Sequence, residues 1–273
     1  MKKILAFLLF CFSFQTYALT LELADNQSSD VEVYDGGSQP FEIIYMHGKN
    51  SRPVIPPAER LFEELSDAGY TVYSAEMPWS RNKYKGSLKT ANEIIEQLIK
   101  KINAKGKRVI LAGHSMGASY AIIYSAQFGN KLAGVIPIAF AHVPQMNMRF
   151  QNETSESVER ASTMVATGKG MEFDDFNDLN MGKSYEINAT AEYYKSFYDP
   201  NTLPDASVVI NNVSIPTLWI SGARDRLTEI YTHDEIYSSL PDNSNNSHVT
   251  IKGNHVAVLK FSSEKIIEWL ESL

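Results

Sequence analysis

Cysteine is almost missing from this sequence. The single one, Cys11, lies in an N-terminal segment expected to be removed, so the mature chain has no thiol for a disulfide or a cysteine metal site. No apolar run reaches the roughly 18 residues needed to cross a bilayer, which excludes stable membrane insertion. Basic runs are missing too: 25 Lys and Arg face 32 Asp and Glu, a formal charge of −7. An acidic chain without a cationic tract is a poor partner for nucleic acid or anionic membranes.

At the start, Lys2 and Lys3 precede an apolar stretch from Ile4 to Phe14, and Thr16-Tyr17-Ala18 places small residues where a signal peptidase cuts. Residues 1–18 therefore read as a secretory signal peptide, and the expected location is secreted or periplasmic. Losing two lysines and no acid takes the charge from −7 to −9. Residues 19–273 are long enough for one large domain, and no linker divides them.

Short apolar runs alternate with helical patterns. Strands are expected at Val31–Tyr34, Phe41–Met46, Tyr70–Ala75, Arg108–Ala112, Leu132–Ala139, Pro216–Ser221 and His248–Lys252. Ile43-Ile44-Tyr45 and Val109-Ile110-Leu111 are apolar on consecutive positions, as strands covered on both faces must be. Helical spacing marks Ala58–Ala68, Leu88–Lys101, Met116–Phe128, Thr228–Ser239 and Ser262–Leu270. The alternation predicts an α/β fold with a doubly wound, mostly parallel sheet. Residues 142–212 break the pattern: they show no convincing buried strand, helix-compatible segments at Thr154–Thr167 and Asn188–Phe197, and acids at Glu172, Asp174, Asp175 and Asp178. They read as a helical cap inserted over the sheet's C-terminal edge.

Gly113-His114-Ser115-Met116-Gly117 follows the strand Arg108–Ala112 and opens a helix of small residues. A serine hydroxyl attacks only when lifted clear of its neighbours and set against a base. A tight strand-to-helix turn does the lifting, and neighbouring backbones then come so close that Gly113 and Gly117 must carry no side chain. The bare pattern arises by composition in about one chain of this size in ten, so its placement between strand and helix carries the assignment of Ser115 as nucleophile. His255, in the loop after the last strand, is the expected general base. His47, His114, His142, His233 and His248 lie in positions less suited to that role. Asp225, after a strand and a glycine turn, is the expected acid that orients the imidazole. Backbone N–H groups of Met116 and Lys49 are the expected oxyanion donors, the second from the loop His47-Gly48-Lys49-Asn50.

These residues resemble the α/β-hydrolase superfamily, in particular its esterase, lipase and thioesterase-like members, and the resemblance runs from His47-Gly48 through Gly113–Gly117 and Asp225 to His255. The chain order serine, acid, histidine is the one that fold uses. The resemblance implies cleavage of a small-molecule ester or thioester through an acyl-enzyme, with no cofactor and no metal. Lys49 and Asn50 stand where one esterase branch carries further glycines, and the serine departs from branches that place aspartate at the elbow. A peptidase or amidase using the same groups, and a non-catalytic exported binding protein on the same fold, are the alternatives.

Overall fold

The computed structural model describes residues 15–273. Most of the expected signal peptide, with Cys11, lies outside the described residues. The first strand, β1 (Gln15–Glu22), spans the expected cleavage point after Ala18 and pairs antiparallel along its length with β2 (Ser28–Asp35).

Six further strands join these two in one sheet: β3 (Phe41–Met46), β4 (Thr71–Ala75), β5 (Arg108–His114), β6 (Gly134–Ile138), and the strands here numbered β9 (Leu218–Gly222) and β10 (Ser247–Ile251). Their spatial order is β1-β2-β4-β3-β5-β6-β9-β10, and every pairing from β4 to β10 is parallel. Consecutive residues serve opposite faces. Ile44 and Met46 join the core under α2 (Leu88–Asn103) and α3 (Met116–Phe128), while Ile43 and Tyr45 join the core under α1 (Pro56–Asp67) and α9 (Ser263–Glu271). Burial of both faces explains why these strands carry no polar alternation. After β3 the chain moves outward to β4, whereas after β5 it moves the other way to β6. The loops leaving β3 and β5 therefore part at the carboxyl edge, which opens a crevice at the topological switch point.

The insertion is not purely helical. It contains α4 (Met148–Ala166), an antiparallel hairpin β7 (Phe173–Asn180) and β8 (Lys183–Thr190), then α5 (Ala191–Tyr198) and the short α6 (Ala206–Val209). The expected helix Asn188–Phe197 thus joined the end of a strand to a true helix, whose start is set by Thr190 accepting a hydrogen bond from the Tyr193 N–H. The expected helix Thr228–Ser239 is two pieces, α7 (Leu227–Ile230) and α8 (His233–Ser238), because Thr232 takes a left-handed conformation at φ 37°. Among the described residues no helix is long and apolar enough to cross a membrane.

Candidate active site

Ser115 follows β5 and caps the start of α3 in a strained conformation, φ 56° and ψ −118°. Strain of this kind persists only where surroundings fix it. Here the Ser115 N–H donates to the Ile138 carbonyl (3.0 Å), and the flanking glycines allow a close approach: a side-chain carbon at Gly113 would fall on the Gly117 carbonyl, and one at Gly117 on the Met46 carbonyl. Both contacts are with backbone, which cannot swing aside.

His255 and Asp225 arrive from the loops after β10 and β9, which lie side by side. The two loops are tied together by the Ala223 N–H to the Ile251 carbonyl (2.8 Å) and the Arg224 N–H to the Gly253 carbonyl (2.9 Å). Asn254 turns the chain by accepting the N–H groups of Val256 and Ala257. The result is a connected row: Ser115 Oγ lies 2.8 Å from His255 Nε2, and His255 Nδ1 lies 2.7 Å from Asp225 Oδ2. The other carboxylate oxygen of Asp225 accepts the Leu227 N–H (3.0 Å). Burial works to raise the Asp225 pKa, but the hydrogen bond and charge of His255 and the Leu227 N–H outweigh it and hold the carboxyl below its usual value. An ionised carboxylate therefore faces Nδ1 and leaves Nε2 free to meet the serine hydroxyl.

Four of the five remaining histidines hold backbone. His114 Nε2 donates to the His255 carbonyl (2.7 Å), supporting the loop that carries the imidazole opposite Ser115. His47 accepts the Met77 N–H (3.1 Å) and donates to the Gly48 carbonyl (2.8 Å), His142 donates to the Phe197 carbonyl (3.0 Å), and His233 donates to the Phe140 carbonyl (2.7 Å). His248 and His233 share the hydroxyl of Ser221.

Met116 opens α3, where the first-turn N–H groups have no carbonyl partner within the helix. The loop after β3 comes alongside: a carbon added at Gly48 would stand 3.1 Å from Ser115 Cβ and from His114 Nδ1. Lys49 lines the same pocket as Ser115 and His255. Its side chain, however, makes contacts that periodicity and motif reading did not reveal. Lys49 Nζ pairs with Asp178 Oδ1 at 2.5 Å and donates to the Leu179 carbonyl (2.9 Å), both on β7.

Above these groups lies a cavity of about 390 Å³ between the sheet edge and the cap. Phe150, Leu179, Tyr231 and Leu227 give it largely apolar walls, and Met148, Met181 and Ile230, all exposed, surround its mouth. Among the described residues no three His, Cys, Asp or Glu side chains are grouped as a metal would require.

No protein-family model matches the chain, and no curated protein matches it in sequence. Its fold is nevertheless shared with solved structures. An esterase of Pyrococcus furiosus is similar over 95% of this chain and 93% of its own, at 18% identity and TM-score 0.64. A monoacylglycerol lipase of Paleococcus ferrophilus is similar over 94% and 99%, at 18% identity and TM-score 0.65. The thioesterase domain from a curacin biosynthetic pathway is similar over 95% and 100%, at 12% identity and TM-score 0.64. The chain has the α/β-hydrolase fold.

Proposed function

We propose that this protein is a serine hydrolase that cleaves a carboxylic ester or thioester through an acyl-enzyme intermediate. One observation carries the reading: the unbroken row Ser115 Oγ, His255 and Asp225, with separations of 2.8 and 2.7 Å, opening into an apolar pocket at the carboxyl edge of the sheet. In this mechanism His255 takes the serine proton as Oγ attacks the acyl carbon. The N–H groups of Met116 and Lys49 receive the negative charge of the tetrahedral intermediate, a contribution often worth about a hundredfold or more in rate for each donor. His255 then gives its proton to the leaving alcohol or thiol, and a water activated by the same imidazole releases the acid. The chemistry is complete with these groups and draws on no cofactor. The apolar wall favours an uncharged acyl chain as the part of the substrate held inside.

Ser115→Ala tests the assignment. The purified variant should lose hydrolysis of p-nitrophenyl esters and labelling by a fluorophosphonate probe together. Activity persisting unchanged in that variant would remove the serine from the reaction.

Export belongs to the same proposal. Cleavage after Ala18 leaves Leu19–Glu22 as the retained half of β1, still in register with Ser28–Val31. N-terminal sequencing of the protein recovered from a secreting host should begin at Leu19, and an N terminus at Met1 on all of the recovered protein would contradict it.

A further inference from the structure

The loop proposed to supply the second oxyanion donor is held from two directions. From the body of the protein, Trp79 Nε1 donates to the His47 carbonyl (2.9 Å) and the Asn50 N–H donates to the Trp79 carbonyl (3.1 Å). From the cap, the Leu179 carbonyl accepts the Lys49 ammonium (2.9 Å) and one carboxylate holds two residues at once. Asp178 accepts the Lys49 ammonium on Oδ1 (2.5 Å) and the Asn50 side-chain amide on Oδ2 (3.0 Å), so its two oxygens grip consecutive residues of the loop.

The grip is dry and enclosed. The Asp178 side chain has no exposed surface and that of Lys49 is 6% exposed. The ammonium also lies 5.0 Å from the ring centre of Phe150 and 5.4 Å from that of Tyr198, so α4, β7 and α5 all contribute to its surroundings. Burial is the largest influence on Lys49 and lowers its pKa. For Asp178 burial acts in the opposite sense, but the neighbouring ammonium overcomes it and keeps the carboxyl below its usual value.

Stability alone is a poor explanation for such a pair. Desolvating two charges often costs as much as their attraction returns, and apolar replacements of both partners are frequently neutral or better. What charge and fixed geometry supply here, and a greasy contact would not, is direction. The Asp178 carboxylate fixes where the Lys49 side chain leaves the main chain, one bond away from the N–H proposed as the second oxyanion donor.

We propose that Asp178 is a positioning residue: through Lys49 and Asn50 it aims the Lys49 N–H at the developing oxyanion, so that transition-state stabilisation depends on the cap being seated. The inference rests on the serine-hydrolase reading. It separates Lys49 into two parts, a main chain that touches the reacting oxygen and a side chain that reports the position of the cap. Asp178 itself touches no substrate.

The test compares Asp178→Asn, Lys49→Met, and the double variant Lys49→Met/Asp178→Leu with the parent protein. The readouts are kcat and KM on a short p-nitrophenyl ester, Tm, and inhibition by a trifluoromethyl ketone, which mimics the tetrahedral adduct. Loss of one well-aimed donor predicts a fall in kcat on the order of a hundredfold, with KM moved by less than about threefold. Affinity for the ketone should fall in parallel with kcat/KM. The double variant, free of an unpaired buried charge, should recover the Tm lost in the single variants while kcat stays low. Two results would overturn the proposal: an Asp178→Asn protein with kcat within twofold of the parent, or a double variant that regains kcat together with Tm, as expected of a contact that only holds the cap down. Ser115→Ala keeps the two readings apart. If it is inactive while Asp178→Asn is fully active, only the positioning role fails; if it retains activity, the underlying reading fails.

Discussion

At the level of single residues, the site is built by pairing each reactive group with a backbone feature that forces its direction. Ser115 has little choice of conformation because Gly113 and Gly117, two residues to either side, are pressed against backbone carbonyls. Asp225 has little more, since one oxygen is committed to Leu227 and the other to His255. Asp225→Asn should therefore keep the shape of the site and invert its hydrogen bonding, with the amide able to present N–H where the imidazole needs an acceptor. In the proposed mechanism the expected loss in kcat is on the order of ten-thousandfold, measured on a p-nitrophenyl ester with near-UV circular dichroism to verify an intact fold. A variant within tenfold of the parent would deny the carboxylate its orienting role.

Ser115, Asp225 and His255 were legible in the sequence because each follows a strand: those before Ser115 and Asp225 carry consecutive apolar residues, and the one before His255 alternates Val249 and Ile251 with polar positions. Asp178 was not. It sits 129 residues from Lys49 in a run of acids that reads as a solvated surface, and only the folded cap turns it inward. The side chain of Lys49 was missed for the same reason: a loop lysine has no periodicity to mark it as buried.

Among the elements, the β7–β8 hairpin is the clearest departure from expectation. Phe173–Asn180 contains three aspartates and two asparagines, a composition depleted in strands. Its buried residues are Phe176 and Asp178 on one face and Leu179 on the other, so hydrophobic alternation fails at the position that carries the ion pair. The signal that was available is the turn. Met181 and Gly182 both have positive φ, 50° and 76°, between eight-residue strands in full register, which is the geometry of a two-residue hairpin. Asn-Gly would have announced it; Met-Gly does not.

That methionine has a physical cost. A non-glycine residue held left-handed gives up about 1–2 kcal/mol, and asparagine tolerates the conformation far better. Met181 also lines the cavity that holds Ser115, and the Gly182 carbonyl accepts a hydrogen bond from Arg149 of α4 (2.9 Å), which fixes the tip over the mouth. Local preference is thus set against a useful apolar wall. Met181→Asn should raise Tm by about 2–4 °C, corresponding to about 1 kcal/mol in a domain of this size. The same change should raise KM for a p-nitrophenyl octanoate substantially more than for the acetate, while leaving kcat on the acetate unchanged. An unaltered octanoate-to-acetate KM ratio would show that the hairpin tip does not contact the acyl chain.

Considered as a whole, the molecule gathers its candidate reactive groups on one edge and staples that edge with neutral imidazoles. His47, His114, His142 and His233 are buried, and each donates from one ring nitrogen to a main-chain carbonyl: in the loops around Ser115, just past the end of β6, or, for His142, in the cap helix α5. Burial is the leading cause of their low pKa values, about 4 for His47 and His233 and about 3 for His114 and His142. An unfolded histidine takes up a proton near pH 6.5, so below that value the unfolded chain binds protons that the folded chain refuses, and stability falls as pH drops. Each such group costs roughly 1.4 kcal/mol per pH unit until its folded pKa is reached. Asp178 and Asp225 also lose their contribution in acid, but their pKa values are lowered from a starting point near 4, so they act only at the acid end of the histidine window and below it. Four histidines together amount to roughly 5 kcal/mol per unit below pH 6, comparable to the entire stability of an ordinary domain. Urea denaturation followed by tryptophan fluorescence should show a midpoint steady from pH 8 to 7 and falling steeply from 6.5 to 5, with the fold lost well above the range where carboxylates titrate. A midpoint unchanged between pH 7 and 5 would mean that these imidazoles are not held neutral, and the stapled edge would need another explanation.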